Sequence, residues 1–276
     1  MITFILKMTL CAALLLLVYF FLLEKEKMHR FKRFYLLFSL VFSITIPLIS
    51  IELPQIIPFF TDQAAESGTD QQANIQSQVL LATSQASFWS IQNILISVYI
   101  IIAGILLSRF IINIIKLSSA IRKGQVISLS STKLILLEED IIPHSFMNYI
   151  FVNKTEYEKG LIETEVLTHE KTHVEQKHTL DILFVEFLLI LFWFNPVLYM
   201  YRSKMKLNHE FLADEGVIDR FENVPHYQMM LLSKAARKSH LSFTSDLNYS
   251  LTKKRMIMMT KKTASHIIML KRGLIL

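Results

Sequence analysis

Leu167-Thr168-His169-Glu170-Lys171-Thr172-His173 is the stretch on which the fold and the chemistry of this chain turn. Its two histidines stand four residues apart, with a glutamate directly after the first. On a helix, side chains at i and i+4 stack on one face, so both imidazoles can aim at a single cation. Glu170 falls about 100° round the helix from His169, where its carboxylate reaches water at the cation and not the cation itself. One helical turn thus supplies two metal ligands and a general base. A solvated polar helix face can carry the same residues, and only the surrounding chain separates the two readings.

H-E-x-x-H is the spacing that zinc peptidases use, and such a centre needs a third protein ligand and one open position. The best candidate lies in Leu207-Asn208-His209-Glu210-Phe211-Leu212-Ala213-Asp214-Glu215, where Glu210 and Asp214 are i, i+4 on one helix face. Glu210 is the expected third ligand, and Asp214 is expected to orient a ligand imidazole from behind. His209 and Glu215 rank lower. Two acids at helical spacing are more often a solvated face, but an H-E-x-x-H upstream reverses those odds. Peptide hydrolysis also wants a donor for the oxyanion. His226, Tyr227 and Arg255 are candidates, and spacing does not choose among them; His226 is the one carried forward.

Between the two motifs lies Asp181–Tyr201, apolar enough to resemble a membrane span and broken at Asn195-Pro196. One complete crossing would put the histidines and Glu210 on opposite sides of a bilayer. The segment is therefore expected to dip in and return, or to lie along the interface, with Glu186 turned to protein or water.

The rest of the composition agrees with a membrane setting. The 276 residues are 52% hydrophobic and 19% charged, with 20 Phe and 12 Met, too apolar for an ordinary soluble domain. Residues 2–23 form a first expected span, followed by Lys25, Lys27, Arg30, Lys32 and Arg33, which should stay cytoplasmic and leave the N-terminus outside. A second span is expected at 34–53. Residues 54–88 hold Asp62, Glu66 and Asp70 but no Lys or Arg, and read as a weakly structured outer loop. A third span at 89–115 returns the chain to Lys116, Arg122 and Lys123. The net charge of +6 thus reads as topological, and no direct nucleic-acid binding is expected. Cys11 is the single cysteine, so neither an internal disulfide nor a thiolate metal site exists.

The expected organisation is a membrane region at 1–123, a metallopeptidase domain at 124–262 that includes the apolar segment 181–201, and a short remnant at 263–276. Val126–Leu137 and Tyr149–Val152 read as strands of a small sheet, suited to holding an extended peptide by strand addition or serving as a plain structural hairpin. The metal-motif helix is expected from about 161 to 178, and another helix over Tyr227–Lys238.

With these pieces in order, the chain resembles the BlaR/MecR-type membrane metallopeptidases, the family of the β-lactam-responsive antirepressor receptors. The resemblance rests on THEKTHVEQKHTLDILFVE (168–186), WFNP (193–196), NHEFLADEGVI (208–218) and NYSLTKKRMIMMTK (248–261). It implies a mainly α membrane protein, with N-terminal transmembrane helices and a gluzincin-like α+β cytoplasmic metallopeptidase domain carrying a small β-sheet. By position it implies zinc on His169, His173 and Glu210, the base at Glu170, and a supporting role for Asp214. The location it implies is the bacterial inner membrane. The expected partners are the lipid bilayer and a protein substrate, such as a transcriptional repressor or the chain itself. Two departures stand out: no penicillin-binding sensor domain follows, so β-lactam sensing is not implied, and His266–Leu276, interrupted by Lys271 and Arg272, is too short for another span. The competing function is a non-catalytic membrane adaptor or signal transducer with a structural or vestigial metal site.

Overall fold

A computed structural model describes residues 2–49, 91–129, 132–238, 245–261 and 273. Three helices are long and apolar enough to cross a membrane: Thr3–Leu23, His29–Leu48 and Ile91–Lys123. The first comprises α1 (Ile2–Val18) and a π-helical turn, Tyr19–Leu23; the second is α2 (His29–Thr45) with a 3₁₀ turn, Ile46–Leu48; the third is α3 (Ile91–Lys123). The expected outer loop at 54–88 and most of the 263–276 remnant lie outside the described residues. The contacts divide the chain into two units, residues 1–48 with 110–276, and residues 49–109. Within the second, the described residues 91–109 are the first part of α3, whose residues are helical and largely exposed.

Two sequence expectations need correction at these apolar helices. The second helix starts at His29, not near 34, so Arg30, Lys32 and Arg33 belong to its first turns and not to a linker. Their charges are accommodated there: Lys32 Nζ donates to the Glu24 carbonyl at 2.9 Å, and Arg33 reaches Asp181. The third helix continues to Lys123, beyond the expected end at 115, because nothing between Ile115 and Lys123 breaks a helix.

Past α3 the chain forms β1 (Gln125–Leu129), β2 (Thr132–Leu137), β3 (His144–Phe146) and β4 (Tyr149–Asn153). The single strand expected over Val126–Leu137 is two strands paired antiparallel, with Leu129 opposite Thr132. The connection at Ser130-Ser131 has no Gly, Pro, Asn or Asp, and serine alone is too weak a turn signal to divide the run. The sheet order is β1-β2-β4-β3, with β2 and β4 parallel and β3 antiparallel to β4. Leu134 and Leu136 of β2 pack with Ile150 and Val152 of β4 against Val174, which lies on the next long helix.

That helix follows a short one. Asn153 ends β4 and caps α4 (Lys154–Glu158), its side chain accepting from Glu156 N at 2.8 Å. Then come α5 (Thr164–Glu175), α6 (His178–Leu191), α7 (Pro196–Phe221), α8 (Val224–Lys238) and α9 (Ser245–Thr260). The metal-motif helix, α5, is shorter than the expected 161–178. Lys177 adopts a left-handed conformation (φ 54°), which a right-handed helix cannot continue, so a new helix starts at His178.

The apolar segment at 181–201 is not one continuous helix. α6 ends at Leu191, the chain turns, and Asn195 caps α7 by accepting from Val197 N at 3.0 Å, with Pro196 in the first helical turn. α7 packs back along α6 until His209 meets Asp181, 2.8 Å away. Glu186 pairs with Arg202 at 2.6 Å across this hairpin. One apolar core joins α1 and α2 to it, with Leu16, Leu36, Leu40, Val185, Leu198 and Tyr201 fully or almost fully buried. A separate cluster gathers Val166 of α5, Val217 of α7, Tyr227 and Met230 of α8 and Met259 of α9. The molecule is mainly helical, with apolar N-terminal helices and a small mixed sheet.

Candidate metal centre

Two helices build the centre, and a glycine sets their separation. α5 presents His169, Glu170 and His173; α7 presents Glu210 and Asp214. Where they cross, a Cβ on Gly216 would stand 2.6 Å from Thr172 Oγ1 and 3.1 Å from its Cγ2, so only glycine permits this approach. Thr172 lies within the H-E-x-x-H turn itself, and the contact therefore governs how near the histidines come to Glu210.

The donor atoms converge. One ligand atom each from His169, His173 and Glu210 lies within 4.8 Å of the other two. The closest pairs are His169 Nε2 to His173 Nε2 at 3.2 Å, His169 Nε2 to Glu210 Oε2 at 3.5 Å, and His173 Nε2 to Glu210 Oε1 at 3.7 Å. Donors held about 2.0–2.2 Å from one tetrahedral zinc lie about 3.3–3.6 Å from each other, so the spacing and the N/N/O donor set fit that ion. Among the described residues this is the one such group, and it offers three ligands, leaving a fourth position open.

The atoms facing away from the centre are also engaged. Tyr227 donates its hydroxyl hydrogen to Asp214 Oδ1 at 2.8 Å, and the Tyr227 hydroxyl oxygen accepts from His169 Nδ1 at 2.9 Å. Asp214 Oδ1 lies 3.4 Å from His169 Nδ1, so the Tyr227 hydroxyl forms the shorter link. Arg255 on α9 donates through Nε to Asp214 Oδ2 at 2.9 Å and through Nη2 to Oδ1 at 2.5 Å. Its Nη1 stands 2.8 Å from Glu210 Oε2. One guanidinium thus grips the third ligand and the carboxylate behind the first. On the other side, His173 Nδ1 meets His178 Nδ1 at 2.8 Å.

Charge in the site follows from these contacts. Burial opposes ionisation of Glu210 and Asp214, yet His169 and Arg255 hold both carboxyls below their ordinary range. Burial likewise opposes a charged His169, and the hydrogen bonds and charges of Asp214 and Glu210 overcome it, pushing its pKa up to about 9. His173, buried and facing a charged His169, is pushed down to about 3 and presents a neutral imidazole. The cluster thus welcomes one positive charge among its carboxylates. Burial raises the Glu170 carboxyl, as a proton acceptor working near neutrality needs.

Of the other residues singled out from the sequence, His209 points away to Asp181, and Glu215 is not part of the ligand cluster. His226 is 60% exposed, 3.7 Å from Glu165. Arg255 is committed to carboxylates, and the Tyr227 hydroxyl to His169 and Asp214. Sequence reasoning missed the positions of Tyr227 and His178 behind the two imidazoles. His178 carried a faint signal, five residues beyond His173 across a helix stop; Tyr227, 58 residues from His169, carried none.

No curated protein matches the chain. Residues 147–259 match the family described as BlaR1 peptidase M56, a span that runs from the β3–β4 turn through α5 and α7 to Arg255 and the end of α9. On that match this part of the chain is similar to the BlaR1-type peptidase domains of the M56 family.

Proposed function

We propose that this chain is a membrane-embedded zinc-dependent endopeptidase that cleaves a cytoplasmic or membrane-adjacent protein in regulatory signalling. The observation that carries the reading is the convergence of His169, His173 and Glu210 at zinc-ligand spacing, with Glu170 on the same helical turn. When bound there, zinc supplies Lewis acidity towards water and a peptide carbonyl. Glu170 takes the proton of the attacking water and later gives it to the leaving amine, so its carboxyl is restored after each cycle. His169 and His173 keep their Nε2 lone pairs directed at the centre because their Nδ1 atoms are bonded elsewhere.

The sheet supports a peptide substrate. β3 is an outer strand, paired on one side with β4, and its Ser145 stands near enough to Glu170 to favour the charged carboxylate against burial. An extended peptide added to the outer side of β3 would run past the general base, with main-chain pairing providing affinity. The positive clusters at 25–33 and 116–123 favour an orientation with the N-terminus outside and the peptidase domain in the cytoplasm of a bacterial cell.

Glu170→Gln is the decisive test. It keeps the shape and loses the base, so cleavage should fall by about 10²–10⁴-fold while bound zinc, measured by metal analysis of the purified chain, stays near one equivalent. Fragments of cellular proteins that appear with the parent chain should vanish with the variant. Undiminished fragment formation by Glu170→Gln would refute the role of Glu170.

A further inference from the structure

We infer that His178, His209, Asp181 and Arg33 form a positioning relay for His173, which ties the orientation of that imidazole to the placement of the apolar helix α2. The inference rests on His173 being a metal ligand.

The relay begins with a tautomer argument. With the Nε2 lone pair of His173 facing the centre, the ring's one hydrogen sits on Nδ1 and is donated to His178 Nδ1, 2.8 Å away. His178 must then carry its own hydrogen on Nε2, where Gln176 Oε1 waits at 3.1 Å. One assignment satisfies every atom along this path. Metal-bound histidines usually rest against a carboxylate or a carbonyl. Here the support is a second imidazole, which can turn about its own side-chain bonds unless something holds it.

What holds it comes from its own helix, α6, and from two others, α7 and α2. The His178 ring lies flat on His209, with centroids 4.1 Å apart and planes 6° from parallel. His209 Nε2 donates to Asp181 Oδ2 at 2.8 Å, and Asp181 also accepts from Arg33 Nε at 2.6 Å and Nη2 at 3.2 Å. His178, His209 and Asp181 are all buried. Local sequence explains the arrangement on the protein side. His178 and Asp181 are i, i+3 in the first turn of α6 and face the same way, and His209 directly precedes Glu210 on α7. The left-handed Lys177 turns the chain so that His178 comes back upon His173.

Arg33 is the distant member, 148 residues before Asp181, near the start of α2. Its planar fork accepts only a narrow range of carboxylate placements. A shift of α2 along or about its axis therefore has to move Asp181 or break the fork. Either outcome frees His209, then His178, then the imidazole of His173. Burying charges of this kind adds little stability compared with apolar packing, so stability alone does not account for the chain of contacts.

The test uses the full 276-residue chain in lipid nanodiscs, with zinc affinity measured by chelator competition and ligand geometry read from the absorption bands of bound Co²⁺. His178→Phe keeps a ring over His209 and removes the acceptor; zinc should bind about 10–100-fold more weakly and the Co²⁺ bands should shift. His178→Asn returns an acceptor oxygen and should recover most of the affinity. Arg33→Met cuts the relay at its far end and should also weaken zinc and alter the Co²⁺ bands. Arg33→Lys, which keeps the charge without the fork, provides the same readout if the methionine variant does not fold, and should give a smaller loss. Parental affinity and spectrum in His178→Phe, or in whichever Arg33 variant folds, would overturn the relay. A parent chain that binds no zinc would overturn the metal-centre reading, and the relay with it.

Discussion

Asp214 carries more of the centre than its distance from the ligand atoms implies. Its carboxylate accepts from Tyr227 and twice from Arg255, and it is 2% exposed. Asp214→Asn would turn an NH₂ towards the guanidinium or the tyrosine, and would remove the charge that balances Arg255. The expected result is a zinc affinity lower by about 10–100-fold, measured by competition with a chromophoric chelator. Tyr227→Phe should cost less. The Asp214 oxygen already lies 3.4 Å from His169 Nδ1 and can take over its hydrogen. That variant should lose about 0.5–1.5 kcal/mol of stability, the worth of an ordinary hydrogen bond, and bind zinc more tightly than Asp214→Asn does. The reverse order would show that the tyrosine, and not the carboxylate, holds the imidazole. None of this pairing is readable from the string of letters: Asp214 and Arg255 are 41 residues apart, and Tyr227 is 58 from His169.

At the scale of the helices, the crossing of α5 and α7 sets the ligand geometry. Gly216→Ala would drive a methyl into Thr172, whose hydroxyl is already bonded to the Thr168 carbonyl at 2.9 Å. Overpacking of this kind costs about 1–3 kcal/mol, and the helices can relieve it only by parting. Both the melting temperature and the zinc affinity should therefore fall. Removing the obstructing atoms with Thr172→Ala in the Gly216→Ala background should recover part of each loss, as a double-mutant cycle would measure. The other decisive joint is Asn195, which caps α7 and donates from Nδ2 to Thr9 Oγ1 at 3.0 Å on α1. Losing that cap in Asn195→Ala should cost about 1–2 kcal/mol, read as a lower melting temperature in detergent. The Asn-Pro pair was legible as a break, because proline lacks an amide hydrogen and asparagine competes for one. What the break accomplishes is the antiparallel return of α7 along α6, and that depends on packing.

For the molecule as a whole, the testable statement is which side of the bilayer holds the peptidase domain. With Cys11 replaced by Ala, a single cysteine at position 70 should react with an impermeant thiol reagent in intact cells. One at position 226, whose native histidine is 60% exposed, should react only after permeabilisation. Labelling of position 226 in intact cells would place the domain outside and would remove cytoplasmic proteins as substrates. The core shared by α1, α2, α6 and α7 gives this orientation a further consequence. The apolar helices α1 and α2 share one buried surface with α6 and α7, so a displacement of α2 has a direct physical route to α7, which carries Glu210.

What the residues decided by themselves are the features set by local period and composition. These include the apolar helices, the i, i+4 imidazoles with Glu170 beside them, and the i, i+4 carboxylates of Glu210 and Asp214. A helix repeats every 3.6 residues whatever surrounds it, so such faces are written in the letters. Tertiary structure alone decided which faces meet. It turned the run at 126–137 into a two-stranded pair, stopped the metal-motif helix at Lys177, brought α7 back along α6, and placed Tyr227, Arg255 and His178 behind the ligands. Each of these depends on contacts between residues far apart in the chain, whose energy exists only once the helices have packed.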